Sequence, residues 1–112
     1  MIESEMRRAL LAAAPHALPN VRLFARNVGF FKLQTGHGFK AGIKGQADIW
    51  GFLRGGKSIE LELKTKRGKL SPDQERWRDF CLEWGVIYLL LEARDDANPI
   101  ARWVEEIRHA IG

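Results

Sequence analysis

Apolar and polar positions change period several times along the chain. In ESEMRRALLAAA (3–14), Met6, Leu10 and Ala13 fall on one helical stripe, and Pro15 predicts the end of that helix. VRLFARNV (21–28) reads as a strand and ADIWGFL (47–53) as a second. Arg54-Gly55-Gly56-Lys57 forms the turn into a third, SIELELKT (58–65). Ser71-Pro72-Asp73-Gln74 is a helix start: serine as the cap, proline at the first helical position, and glutamine closing a capping box. That helix predicts Trp77, Phe80, Cys81 and Trp84 on one inward face and stops at Gly85. VIYLLLEA (86–93) predicts a strand covered on both faces. Asn98-Pro99 begins a last helix with Ile100, Trp103, Val104, Ile107 and Ile111 inward. The order α-β-β-β-α-β-α predicts an α/β (α+β) fold, a short mixed sheet flanked by helices, over one domain, 1–112.

The third strand carries an unusual polar face. Ile59, Leu61 and Leu63 alternate with Glu60, Glu62 and Lys64, so two carboxylates and an ammonium share one side. Alternate residues lie about 7 Å apart, within reach of one small site. The preceding strand adds Asp48 among apolar neighbours. Carboxylates on adjacent strands suit a hard divalent cation. Such a cation lowers the pKa of bound water and neutralises charge on a phosphoryl oxygen, and Lys64 is placed to orient that water or the developing charge. The competing reading is an exposed strand with a cross-strand ion pair, worth about 0.2–1 kcal/mol.

Charge placement changes the balance between the two. The chain is +4, and residues 40–69 hold eight Lys or Arg against Asp48, Glu60 and Glu62, so the rest is close to neutral. Such clustering points to a polyanion, most simply nucleic acid. Lys66, Arg67 and Lys69 follow the acidic strand, while Lys40 and Lys44 lie in a glycine-rich segment, 36–45, read as a mobile loop beside the substrate. All five are candidate phosphate contacts, which position a backbone without reading bases.

Other features exclude rival classes. One cysteine, Cys81, gives no internal disulfide, so a reducing cytoplasm is the expected setting. No apolar run approaches the roughly 20 residues of a bilayer span, and MIESEMRRAL, with two glutamates where a signal peptide is basic, does not resemble one. One cysteine with His16, His37 and His109 dispersed does not make a zinc constellation, and the 36–45 segment lacks the order of a phosphate-binding loop. No small-molecule cofactor is suggested. Cys81 reads as apolar filler.

Gly45-Gln46-Ala47-Asp48-Ile49, Glu60-Leu61-Glu62-Leu63-Lys64 and Gly68-Lys69-Leu70-Ser71-Pro72-Asp73-Gln74 together resemble the VRR-NUC family, a branch of the PD-(D/E)XK, restriction-endonuclease-like nucleases. Glu3-Ser4-Glu5-Met6 and Arg26-Asn27-Val28-Gly29 extend the resemblance over nearly the whole chain. The proline of the superfamily's name is absent, with Ala47 before Asp48, a departure common in this branch.

The resemblance implies a restriction-endonuclease-like core and Mg²⁺ or Mn²⁺ held by Asp48, Glu62 and the Leu63 backbone carbonyl. Lys64 would be the catalytic lysine. An acid of the first helix, Glu3 with Glu5 as the alternative, would reach the site, and Gln74 would support it beyond its capping role. Glu60 falls outside the pair and reads as supporting or surface. The implied activity is metal-dependent DNA endonuclease action on branched DNA such as flaps or four-way (Holliday) junctions, by a homodimer if two strands are cut symmetrically. A non-catalytic nucleic-acid-binding module, or a nuclease subunit active only with a partner, is the alternative.

Overall fold

A computed structural model describes residues 1–26, 29–32, 38–65 and 68–112, with side chains described in all of these but 29–32 and 38–41. The chain folds as α1 (Glu3–Ala17), β1 (Val21–Ala25), β2 (Gly29–Lys32), β3 (Gly38–Ala41), β4 (Ile49–Leu53), β5 (Ser58–Lys64), α2 (Pro72–Glu83), β6 (Ile87–Glu92) and α3 (Ile100–Ile111). It is an α+β fold around a four-stranded mixed sheet of order β1-β4-β5-β6. β1, β4 and β5 run antiparallel, and β6 joins β5 in parallel through α2, the crossover that a parallel pair requires.

The alternation of β5 sets the layers. Ile59, Leu61 and Leu63 are fully buried on one face. There they meet Met6, Leu10 and Ala14 of α1 and Trp103 and Ile107 of α3 in one core. Of the stripes expected for the two helices, Ala13 and Ile111 are only half-buried, and Ala14 takes the inward place expected of Ala13. At roughly 25 cal/mol per Å² of apolar area, this face supplies the main stabilisation. The opposite face lies partly under α2, and the outer face of β1 and β4 extends beyond it, with Phe24, Trp50 and Phe52 exposed.

Several expectations are corrected. Helix α1 runs through Pro15 to Ala17, because Ala14 and Leu18 are both buried and the Leu18 N–H closes on the Ala14 carbonyl at 2.8 Å. Tertiary burial thus outweighs the local cost of an internal proline, about 3 kcal/mol. The glycine-rich segment contains an antiparallel hairpin, Gly29–Lys32 with Gly38–Ala41, so the order has two more strands than expected. Phenylalanines at 30, 31 and 39 favour strand more than the glycines oppose it. On α2, Cys81 is buried as expected, but Phe80 and Trp84 are exposed. The helix covers the sheet only near β5 and β6, and its apolar stripe is wider than its footprint. Strand β6 is an edge strand, mostly half-buried, so it is not enclosed on both faces. Its leucines pair with β5 on one side only.

Candidate metal centre

The site begins with a strand that ends early. β4 starts at Ile49, paired with Leu61, so Asp48 lies just beyond the ladder, beside the last residues of β5. Its Oδ2 accepts the Leu63 N–H at 2.9 Å, and its own carbonyl accepts the Arg26 N–H at 2.9 Å. The Lys64 carbonyl turns the other way, accepting from Ala93 after β6. Strand alternation therefore points the N–H and carbonyl of Leu63 together toward Asp48. Asp48 and the Leu63 carbonyl thus share one edge of the sheet.

Glu62 lies on the α2 side and is 2% exposed. Its Oε1 accepts Gln74 Nε2 at 2.9 Å, while Oε2 is buried with no partner. Burial first, then the nearby charge of Asp48, push the Glu62 pKa up to about 8. Two carboxyl groups this close, one with an orphaned oxygen, form an electrostatic deficit that a cation would fill. The donor set is all oxygen, as Mg²⁺ or Mn²⁺ requires. Among the described residues, no cluster of three or more His, Cys, Asp or Glu side chains is arranged to hold a metal, so a cation here would depend on two carboxylates, a carbonyl and water.

Gln74 joins two tasks that sequence left in competition. Its Oε1 accepts the Ser71 N–H at 2.8 Å, its backbone N–H donates to Ser71 Oγ at 3.2 Å, and its Nε2 holds Glu62. The capping box is complete and aims the remaining amide donor at the site. The loop before Asp48 is anchored to the same helix start. Gly45 has φ +90°, and a Cβ there would lie 2.3 Å from the Asp73 carbonyl oxygen. Only glycine fits both the backbone angle and the approach.

The first helix resolves its two acids differently. Glu3 is half-buried and its pKa is raised, by burial and then by the Asp48 charge, against the opposing pull of Lys64 and Arg7. Glu5 turns outward, accepting the Ile2 N–H at 3.0 Å at the helix start. Lys64 ends β5, half-buried. A Cβ on Gly68 would lie 3.1 Å from the Lys64 Cβ and Cδ, so the chain after β5 packs closely on the lysine stem. The structure therefore brings Glu3, Asp48, Glu62, Lys64 and Gln74 to one end of the sheet.

Glu60 is neither surface nor idle. At 6% exposure it receives both Arg26 Nη1 and Nη2, the latter at 2.8 Å, and Trp77 Nε1 at 2.8 Å. Arg26 in turn lies 5.9 Å above the Trp77 ring. Burial of both glutamates overturns the exposed-strand reading of β5. The importance of Arg26 and Trp77 was hidden in the sequence, because their partner lies more than a dozen positions away. Tyr88 was also missed. It pairs in register with Glu60, its buried hydroxyl has no partner, and burial followed by the Glu62 charge raises its pKa. The alternation Tyr88, Leu90 in β6 was the available signal.

The proposed phosphate contacts divide. Lys44 is exposed and pairs with Asp73 at 3.3 Å, and Lys69 is exposed beyond β5. Lys40 belongs to β3, its side chain outside the description, and Lys66, Arg67 and His37 lie outside the described residues. Cys81 is buried and its thiol is pushed up to about 11, chiefly by burial. Among the described residues, no helix is long and apolar enough to cross a membrane. Compared with known protein families, curated proteins and solved structures, the chain has no match.

Proposed function

We propose that the chain is a metal-dependent DNA endonuclease of the VRR-NUC type, with a restriction-endonuclease-like core. The observation that carries this reading is the buried Glu62 carboxyl beside the half-buried Asp48, with Glu62 Oε2 orphaned and Lys64 two residues further along the strand. Burying such a pair costs several kcal/mol unless something compensates it, and perturbed acids of this kind cluster at functional sites.

Asp48, Glu62 and the Leu63 carbonyl would hold Mg²⁺ or Mn²⁺, which when bound supplies charge neutralisation at a phosphoryl oxygen and a more acidic water. Gln74 holds Glu62 Oε1, which would leave Oε2 for the cation. Glu3, close enough to feel the Asp48 and Lys64 charges, would stand on the α1 side of the site. Lys64 donates to the attacking water or to the phosphate, where its charge counts most as negative charge develops. Lys44, Lys69 and the other cations of residues 40–69 hold the backbone. Phosphate contacts position a backbone without reading bases, so DNA shape is a better recognition target than sequence. Symmetric cutting of both strands of a branch would require two copies of the chain.

The test is cleavage of end-labelled four-way junction, flap and linear duplex DNA with Mg²⁺, Mn²⁺ or EDTA. Cutting that needs metal and favours a branched substrate is expected. DNA binding with no cutting under any metal would instead favour the non-catalytic module, and cutting only on addition of a second protein would favour the partner-dependent subunit.

A further inference from the structure

Beside the carboxylates, on the same face of the sheet, lies a cleft of about 450 Å³ that the cation chemistry does not use. One wall is the sheet, through Trp50 and Phe52. The other is α2, through Trp77 and Phe80, and Arg26 and Glu60 form part of the floor. Both walls are built from stacked rings. Phe24 stacks on Trp50 with centroids 4.9 Å apart, and Trp77 on Phe80 at 5.5 Å. The Trp77 indole is fixed by its bond to Glu60, so that wall is set before anything binds. Yet Phe24, Trp50, Phe52 and Phe80 remain 37–49% exposed. Rings held in place with their faces open to water are costly for a monomer and mark a binding surface.

Charge selects the occupant. Arg22 lies on the same face, opposite Phe52 in the β1–β4 register, and Arg22 and Arg54 flank Phe52 on the side away from the cleft. The one acid among the described lining residues, Glu60, is already neutralised by Arg26. A second copy docked across this aromatic face would bring its Arg22–Arg54 end close to other cations, whereas a polyanion that leaves the cleft past Phe52 meets that end with complementary charge. Glu60 and Glu62 are two positions apart on one strand face, so the cleft floor is about 7 Å from the candidate cation site. A nucleotide whose base enters the cleft has its neighbouring phosphate close to Glu62.

We infer that this aromatic cleft takes an unpaired nucleobase of a branched nucleic acid, and so supplies the preference for flaps or junctions. The inference rests on the nuclease reading for the neighbouring phosphate. Its test does not, because binding is read in EDTA. The measurement compares the affinities of fluorescein-labelled flap and blunt duplex DNA, together with quenching of tryptophan fluorescence. Base–aromatic stacking is worth about 1–3 kcal/mol per base, so wild type should favour the flap by roughly fivefold to a hundredfold, with quenching. Trp50→Leu keeps an apolar residue on the strand but removes the stacking face. Phe80→Leu does the same from the other wall, on an exposed helix position that leaves the core intact. In each, the flap-to-duplex ratio should fall toward one. Equal affinities in wild type would overturn the inference, as would a ratio unmoved in both variants. So would variants that convert a dimer into a monomer with the ratio intact, since the face would then join two copies. If flap preference and quenching occur but no metal permits cutting, the cleft stands and the nuclease reading fails.

Discussion

Gln74 donates from Nε2 to Glu62 at 2.9 Å while its Oε1 accepts the Ser71 N–H at 2.8 Å, so one side chain both caps α2 and orients a buried carboxylate. The two roles can be separated by substitution. Glu at this position still completes a capping box but has no amide donor for Glu62. Gln74→Glu should lower cleavage at least tenfold and, because its second oxygen faces Glu62 Oε1, lower the thermal midpoint more in EDTA than in Mg²⁺. Gln74→Ala should lose both, costing about 1 kcal/mol in stability. Paired melting and cleavage assays check this, and full activity in Gln74→Glu would reduce the residue to a cap.

The Glu62 carboxyl, raised to about 8 by burial and by Asp48, makes metal-free stability depend on pH. The folded protein holds this proton more tightly than the unfolded chain, so the contribution is complete below the ordinary value of 4.5 and is lost as pH rises toward 8. In EDTA, the wild-type melting temperature should fall relative to Glu62→Gln across that window. A difference independent of pH would show that Glu62 does not carry the proton.

Gly45→Ala tests the anchoring of the loop that delivers Asp48. The new Cβ would meet the Asp73 carbonyl at 2.3 Å in a left-handed backbone conformation. That conformation alone costs about 1–2 kcal/mol, and the clash adds to it. The melting temperature should drop by roughly 5–15 °C. A drop of a degree or less would mean that the loop shifts freely and does not fix Asp48.

Removing Arg26 leaves Glu60 buried without its charge partner. Arg26→Ala should destabilise the fold by about 3–5 kcal/mol, and Arg26→Met with Glu60→Gln should recover a large part of that. Chemical denaturation of the single and double variants measures the coupling. A neutral Arg26→Ala would mean that Glu60 is held by Trp77 alone.

The parts legible in the sequence are those governed by local periods and short motifs. Alternation in 58–65 placed Ile59, Leu61 and Leu63 in the core and Glu60, Glu62 and Lys64 opposite, and Ser71-Pro72-Asp73-Gln74 marked the start of α2. Asp48 and Glu62 were expected from adjacent strands, and the structure sets Asp48 just before β4, with its Oδ2 on the Leu63 N–H next to Glu62. The burial of Glu60 was not legible, because it depends on Arg26 and Trp77 arriving from distant segments. Nor was the exposure of Phe80 and Trp84, since an apolar helix face does not reveal how much sheet lies beneath it. The hairpin of β2 and β3 was hidden by its glycines, whose turn signal masked the intervening phenylalanines.

The most direct single measurement is the rate of cutting of a labelled four-way junction against Mn²⁺ concentration, for wild type and Lys64→Ala in parallel. Wild type should cut with saturable dependence on Mn²⁺ and stop in EDTA. Lys64→Ala, which leaves both carboxylates in place, should cut at least 10²-fold more slowly at saturating metal. Equal rates for the two proteins, cutting that persists in EDTA, or no cutting at any Mn²⁺ concentration would contradict a metal-dependent nuclease centred on Asp48, Glu62 and Lys64.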